Sequence, residues 1–113
     1  MSYEIVLPSS FLESIRRLKK KYPHANSDAQ MALNVILQNP FLGVVIPGGH
    51  GVRKLRVRSS DLQRGKSGGF RLVYLLEGEP ERIYPLLMYA KTEQVDVTRR
   101  ELQELLDALA RIE

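Results

Sequence analysis

The 113-residue chain contains no cysteine, which excludes disulfides and thiolate nucleophiles and leads us to expect a cytoplasmic protein. It has only two histidines, His24 and His50, both in loop-like segments and with no metal-ligand spacing between them. His50, inside Pro47-Gly48-Gly49-His50-Gly51, reads as plain solvated loop. The apolar segments hold no pair of carboxylates, which argues against acid/base work by paired acids. Gly65-Lys66-Ser67 echoes the end of a nucleotide-binding loop, but the glycine required five residues earlier is replaced by Ser60. No apolar run approaches the ~20 residues needed to cross a bilayer, so no membrane partner is expected. Met1-Ser2-Tyr3-Glu4 lacks a basic and then apolar leader, so no signal peptide is expected either. These absences lead us to expect neither a cofactor nor a metal.

What the chain does have is enough apolar residues, 43%, to build one core, and a length typical of a single domain spanning 1–113. Its charge is unevenly spread. Residues 1–50 carry five basic and three acidic side chains, residues 51–91 nine and four, and residues 92–113 three and six. The middle is a cationic block that implies an anionic partner, and the C-terminal segment is acidic. From Arg53 to Arg71 there are seven cations (Arg53, Lys54, Arg56, Arg58, Arg64, Lys66 and Arg71) against Asp61 alone.

Taken in order, Tyr3 to Leu7 reads as a short strand ended by Pro8. Ser10 and Glu13 have the spacing of a capping box, and Phe11, Ile15, Leu18 and Tyr22 form one helical face, stopped by Pro23. Most of Arg16, Arg17, Lys19, Lys20 and Lys21 fall off that face, as solvated helix surface does. A second helix is expected from Ser27-Asp28, with a box to Gln30, to Asn39-Pro40, completing a helical hairpin. Phe41 to Gly51 reads as loop.

Val52 to Arg58 alternates, with Leu55 and Val57 on one side and Lys54, Arg56 and Arg58 on the other. Phe70 to Glu77 is apolar on both sides apart from Arg71, which suggests a central strand. A turn at Gly78-Glu79-Pro80-Glu81 makes a hairpin with Arg82 to Lys91. Pro85, which cannot donate to a ladder, argues for an edge position or a bulge there. Thr98 and Glu101 form another capping box, strengthened by Asp96, ahead of an apolar stripe of Leu102, Leu105, Leu106, Leu109 and Ile112. The expected fold is α+β: a small, mostly antiparallel sheet in the order β-α-α-β-β-β-α, with the helical hairpin packed on one side and a C-terminal helix.

The chemistry left to the chain rests on Lys54, Arg56, Lys66, Arg71, Tyr89 and Lys91. Arginine holds phosphate bidentately and lysine as a point charge, and both stabilise charge on a transferring phosphoryl group. A tyrosine can stack on a base, or exchange a proton if nearby cations lower its pKa. RNA cleavage by 2′-hydroxyl attack and plain nucleic-acid binding both remain open on these residues.

The runs Arg53-Lys54-Leu55-Arg56, Gly65-Lys66-Ser67-Gly68-Gly69-Phe70-Arg71-Leu72-Val73-Tyr74 and Leu87-Met88-Tyr89-Ala90-Lys91, followed by an acidic capped helix, resemble the RelE/ParE toxin superfamily, and within it the RelE/HigB-like branch. The resemblance covers nearly the whole chain in element order. It implies the toxin of a type II toxin–antitoxin module, a metal-free endoribonuclease that cleaves messenger RNA in the ribosomal A site. By the same resemblance, Arg71 would stabilise the phosphate. Lys54, Arg56, Lys66, Tyr89 and Lys91 would complete the active site, while Arg53, Arg58 and Arg64 would attract RNA. The partners implied are a cognate antitoxin, the ribosome with its messenger RNA, and operator DNA bound by the toxin–antitoxin complex. A late tyrosine and a second arginine carried by some RelE members have no counterpart here. The alternatives are a ParE-like inhibitor of DNA gyrase and a non-catalytic basic nucleic-acid-binding domain.

Overall fold

A computed structural model of the chain describes residues 2–62 and 69–112. The elements are β1 (Glu4–Ile5), α1 (Ser9–Lys19), α2 (Ala25–Gln38), β2 (Val44–Val45), β3 (Val52–Val57), β4 (Phe70–Gly78), β5 (Glu81–Ala90) and α3 (Arg99–Ile112). The strands form one sheet in the order β1-β5-β4-β3-β2, antiparallel except for the β1–β5 pair. The expected element order is present with one addition. β2 lies inside the Phe41–Gly51 segment that was expected to be loop, and it pairs Val44 with Lys54 and Val45 with Arg53. Two exposed valines carry no alternation, so such a strand leaves no periodic trace.

One face of the sheet is covered by the helical hairpin. Phe11, Ile15, Leu18 and Tyr22 from the first helix and its end are buried there, with Ala25, Ala29, Ala32, Leu33 and Ile36 from the second. They meet Val57, Phe70, Leu72, Tyr74, Ile83, Met88 and Ala90. The small residues of α2 let its backbone approach the sheet. On the opposite face, Leu102 and Leu109 of α3 are buried with Val52, Val73, Tyr84, Leu86, Leu87 and Tyr89. The side chain of Ile112, the last residue of the expected stripe, lies outside the described part.

Of the three expected capping boxes, only the last forms. The Glu101 amide donates to Thr98 Oγ1 at 3.0 Å and the Thr98 amide to Glu101 Oε1 at 3.4 Å. Ser10 lies inside α1 and instead donates its hydroxyl to the Leu86 carbonyl at 2.8 Å, while the buried Ser14 hydroxyl accepts the Met88 amide at 3.1 Å. β1 pairs with β5 only as far as Ile83, so these two serines satisfy the strand edge that β1 leaves open. Tertiary need has overridden a local cap. The second box fails because α2 already begins at Ala25, where Ser27 bonds back to the His24 carbonyl. Asp28 is buried and accepts both the Ser60 amide (2.9 Å) and the Ser60 hydroxyl (2.6 Å).

Asp28 works with a second anchor. His24 binds Asp61 twice, through its ring Nδ1 at 2.7 Å and its amide at 2.9 Å. Together they fasten residues 59–62 to the α1–α2 turn. The hydrogen bond and charge of Asp61 raise the His24 pKa above its ordinary 6.5, and His24 lowers that of Asp61 below 3.8. The histidine part of this anchor is therefore fully present below pH 6.5 and fades as pH rises through the raised value. The aspartate part is present above pH 3.8 and fades as pH falls through the lowered one. A proton NMR titration of the His24 ring should show a midpoint above 6.5 that falls back towards 6.5 in Asp61→Asn. An unchanged midpoint in that variant would show that Asp61 does not set it.

β5 pairs with β4 throughout, but its pairing with β1 ends at Ile83, so Pro85 lies on a stretch of β5 whose other edge is open, as its missing N–H donor requires. The strand also contains the expected bulge. Tyr74 pairs with Pro85 but Val73 pairs with Leu87, leaving Leu86 as an extra residue.

Candidate nucleic-acid interface

Strand register places the cations. Arg56 pairs with Arg71 across β3 and β4, and Arg71 pairs with Tyr89 across β4 and β5. Residues directly opposite in neighbouring strands project to the same face, so Arg56, Arg71 and Tyr89 form one row across three strands. Lys54, two residues before Arg56, projects to the same face opposite Val73. This is the face carrying α3, and the row lies where β4 begins and β5 ends.

The bulge is what brings Tyr89 into this row. Tyr84 and Tyr89 are five residues apart and would face opposite ways in a regular strand. The extra Leu86 shifts the alternation by one, so that Tyr84, Leu86, Leu87 and Tyr89 all pack on the α3 side. Without it, Tyr89 would oppose Phe70 and enter the helical-hairpin core.

Gly69 holds the two ends of the row together. Its carbonyl accepts the Lys91 amide at 3.1 Å, joining the start of β4 to the end of β5. Its φ of +88° is in the left-handed region, and a Cβ there would lie 2.7 Å from the Val57 carbonyl oxygen. Both observations explain a glycine two residues before Arg71.

Arg71 is buried, and its guanidinium donates to the Phe70 carbonyl at 3.2 Å. Arg56 is exposed. Among the described residues, neither arginine makes an ion pair. Two arginines directly opposite on neighbouring strands repel each other, and a buried cation without a carboxylate is costly. Packing alone would not select this arrangement.

Tyr89 is also buried, and its pKa is raised to about 12, chiefly by burial and then by the Asp96 charge and hydrogen bond, against the opposing pull of Arg71. This corrects the expectation that nearby cations lower it. Desolvation of the phenolate outweighs the cations, so Tyr89 keeps its proton and can donate a hydrogen bond but cannot act as a base near neutral pH.

Lys54 Nζ lies 2.8 Å from Asp96 Oδ1, and Tyr89 donates to the same oxygen at 3.4 Å. Asp96 is the group that sequence reasoning missed, since there it served only to strengthen a helix cap. Its signal was an acid seven residues after Tyr89, just before the acidic helix. Its pKa is lowered, first by the Lys54 hydrogen bond. Lys91, half-buried, turns its ammonium to the Val95 carbonyl at 3.2 Å.

The residues expected to attract RNA separate. Arg53 points to the helical-hairpin side, where it donates to the Phe41 and Gly43 carbonyls at 3.1 and 2.8 Å and lies over the Phe41 ring. Arg58 is exposed just beyond β3. Arg64 and Lys66 lie outside the described residues. The structure thus brings Lys54, Arg56, Arg71 and Tyr89 together on one face, with Asp96 among them.

Among the described residues, no cluster of three or more His, Asp or Glu is placed to hold a metal ion, and no helix is long and apolar enough to cross a membrane. No protein-family model matches the chain. Its structure is similar to that of the E. coli toxin RelE, solved in the free state as a double arginine-to-alanine mutant, with a TM-score of 0.63 at 20% identity over all of both chains. The chain therefore has the fold of the E. coli toxin RelE.

Proposed function

We propose that this chain, as one domain over 1–113, is the toxin of a type II toxin–antitoxin module, of the RelE/HigB-like branch, and that it cleaves messenger RNA in the ribosomal A site. The observation that carries this reading is the row Arg56–Arg71–Tyr89 with Lys54 beside it, in which two opposed arginines have no ion-pair partner among the described residues. Such an arrangement suits a phosphodiester. The 2′-oxygen attacks phosphorus in line as the P–O5′ bond breaks, leaving a 2′,3′-cyclic phosphate on one fragment and, after proton transfer, a 5′-hydroxyl on the other. Negative charge gathers on the non-bridging oxygens in between, and Arg71 with Arg56 and Lys54 would stabilise it. Tyr89, holding its proton, serves as a donor to the phosphate or the leaving oxygen. Lys66 and Lys91 complete the proposed set, and Arg58 and Arg64 would add general attraction for RNA. The motif resemblance implies that this chemistry proceeds without a metal ion.

The fold supports the partner proposal as well. β2 is an edge strand whose Val44 and Val45 are 73% and 51% exposed, next to the exposed Phe41 and Leu42. An apolar edge of this kind suits an added strand from a partner, here a cognate antitoxin that would also bind operator DNA.

The test is brief induction of the chain in growing cells, followed by mapping of new RNA 5′ ends. Cuts phased with codons and dependent on translation are expected. A DNA-damage response without new RNA ends would favour gyrase inhibition, and neither response would leave a non-catalytic nucleic-acid-binding domain.

A further inference from the structure

One oxygen of Asp96 gathers three donors. Lys54 Nζ is 2.8 Å from Oδ1, the Tyr89 hydroxyl is 3.4 Å from it, and the Val97 amide is 2.8 Å from it. The donors come from three places in the fold: β3, β5 and the segment leading into α3. The Asp96 backbone is held independently of its carboxylate. Gln94 Nε2 donates to the Asp96 carbonyl at 3.0 Å and to Glu101 at 2.8 Å, and Lys91 reaches the Val95 carbonyl. Upstream, Glu93 pairs with Lys21 at 3.2 Å and accepts the Tyr22 hydroxyl at 3.3 Å. The carboxylate is thus presented to Lys54 and Tyr89 by an anchored segment.

We infer that Asp96 is a built-in anion occupying a phosphate subsite made by Lys54, Tyr89 and the Val97 amide, and that the phosphate of RNA binds there by exchanging with it. This rests on the nuclease reading for the identity of the ligand. The chemistry of the three donors defines an oxyanion site in any case. The exchange is energetically reasonable because the Lys54–Asp96 pair is partly exposed, at 30% and 56%, and pairs of that kind are individually weak. A phosphodiester carries its charge on two oxygens and can engage Arg56 or Arg71 at the same time, which a carboxylate tethered at residue 96 does not. While unoccupied by RNA, the subsite keeps its lysine neutralised and its tyrosine protonated, and stray monovalent anions compete poorly. Asp96 therefore raises the threshold for binding and favours ligands that bridge several cations.

The experiment compares the full chain with Asp96→Asn and with Glu104→Gln, which removes the same charge from an exposed acid paired with Arg100 on α3. Asparagine can still accept the Val97 amide, the helix cap itself is the Thr98–Glu101 pair, and thermal unfolding confirms that the variant is folded. Two probes are titrated at low salt: a fully 2′-O-methylated, uncleavable RNA oligonucleotide, and inorganic phosphate followed by NMR at Lys54 Nζ and the Tyr89 ring. Asp96→Asn is expected to bind both about two- to fivefold more tightly, the scale of one exposed ion pair, and Glu104→Gln to match the parent. Tighter phosphate binding with no RNA binding by any variant would uphold the subsite and defeat the nuclease reading. Equal or weaker binding of phosphate by Asp96→Asn, or an equal gain in Glu104→Gln, would overturn the exchange.

Discussion

Replacing Arg71 with alanine is expected to lower RNA cleavage by about 100- to 1,000-fold, the scale for removing one donor to a developing oxyanion. The loss should appear in the rate and not in stability. Arg71 faces Arg56 across β3 and β4, and among the described residues it has no acid partner, so its removal relieves repulsion and breaks only a bond to the Phe70 carbonyl. The midpoint of thermal unfolding should stay level or rise. Arg71→Lys should recover part of the rate at most, because an ammonium replaces a planar fork by a point charge. The measurement pairs cleavage of ribosome-bound message by purified protein with calorimetry of the same samples. A folded Arg71→Ala that cleaves at the parental rate would remove this residue from the reaction. A variant inactive because it is unfolded would show instead that Arg71 serves packing, and Arg56→Ala, exposed on the same row, would then carry the test of the site.

The second large effect is structural and falls on Tyr74. The residue is fully buried, and its hydroxyl donates to the Pro40 carbonyl at 2.7 Å and accepts the Gly43 amide at 2.9 Å. It thereby ties the end of the helical hairpin to the central strand and positions the approach to β2. Burial comes first in raising its pKa, which keeps the phenol neutral. Gly43 is part of the same fit, since a Cβ on it would come within 2.8 Å of the Tyr74 hydroxyl oxygen. Tyr74→Ala removes an aromatic ring from the core and strands two buried polar groups, so a loss of about 3–5 kcal/mol is expected from the cavity alone. That is a large share of the ~5–15 kcal/mol by which a domain is ordinarily stable. Tyr74→Phe keeps the ring and should lose about 1–3 kcal/mol through the unpaired amide and carbonyl. Urea denaturation of both variants separates the two contributions. If phenylalanine is as stable as tyrosine, the two hydrogen bonds do not hold the β2 approach in place.

These two residues lie three apart on β4 but differ in how readily the sequence reveals them. Arg71 stood out as the only charge in an apolar run, inside a motif with two preceding glycines. Tyr74 looked like one more core residue, because nothing local announces a hydroxyl that bonds residues 31 and 34 positions earlier. The failed boxes at Ser10 and Ser27 show the same limit from the other side. Their spacing satisfies a local rule, yet the Ser10 hydroxyl goes to a strand 76 residues away.

By itself, the sequence determined what is periodic or additive. Helical spacing marked the buried faces of α1 and α3, two-residue alternation separated Leu55 and Val57 from Lys54 and Arg56, and a simple charge sum located the cationic block. The tertiary structure decided what depends on pairing between distant segments. Whether Arg56, Arg71 and Tyr89 meet is a question of strand register, and a shift of one residue sends a side chain to the opposite face. Pro85 signalled an irregularity in β5, but only the paired strands show that the irregularity is an extra residue at Leu86, and that this residue turns Tyr89 onto the cationic face. Periodicity is a property of one segment; register belongs to two, and the site exists only where three strands and the approach to α3 coincide.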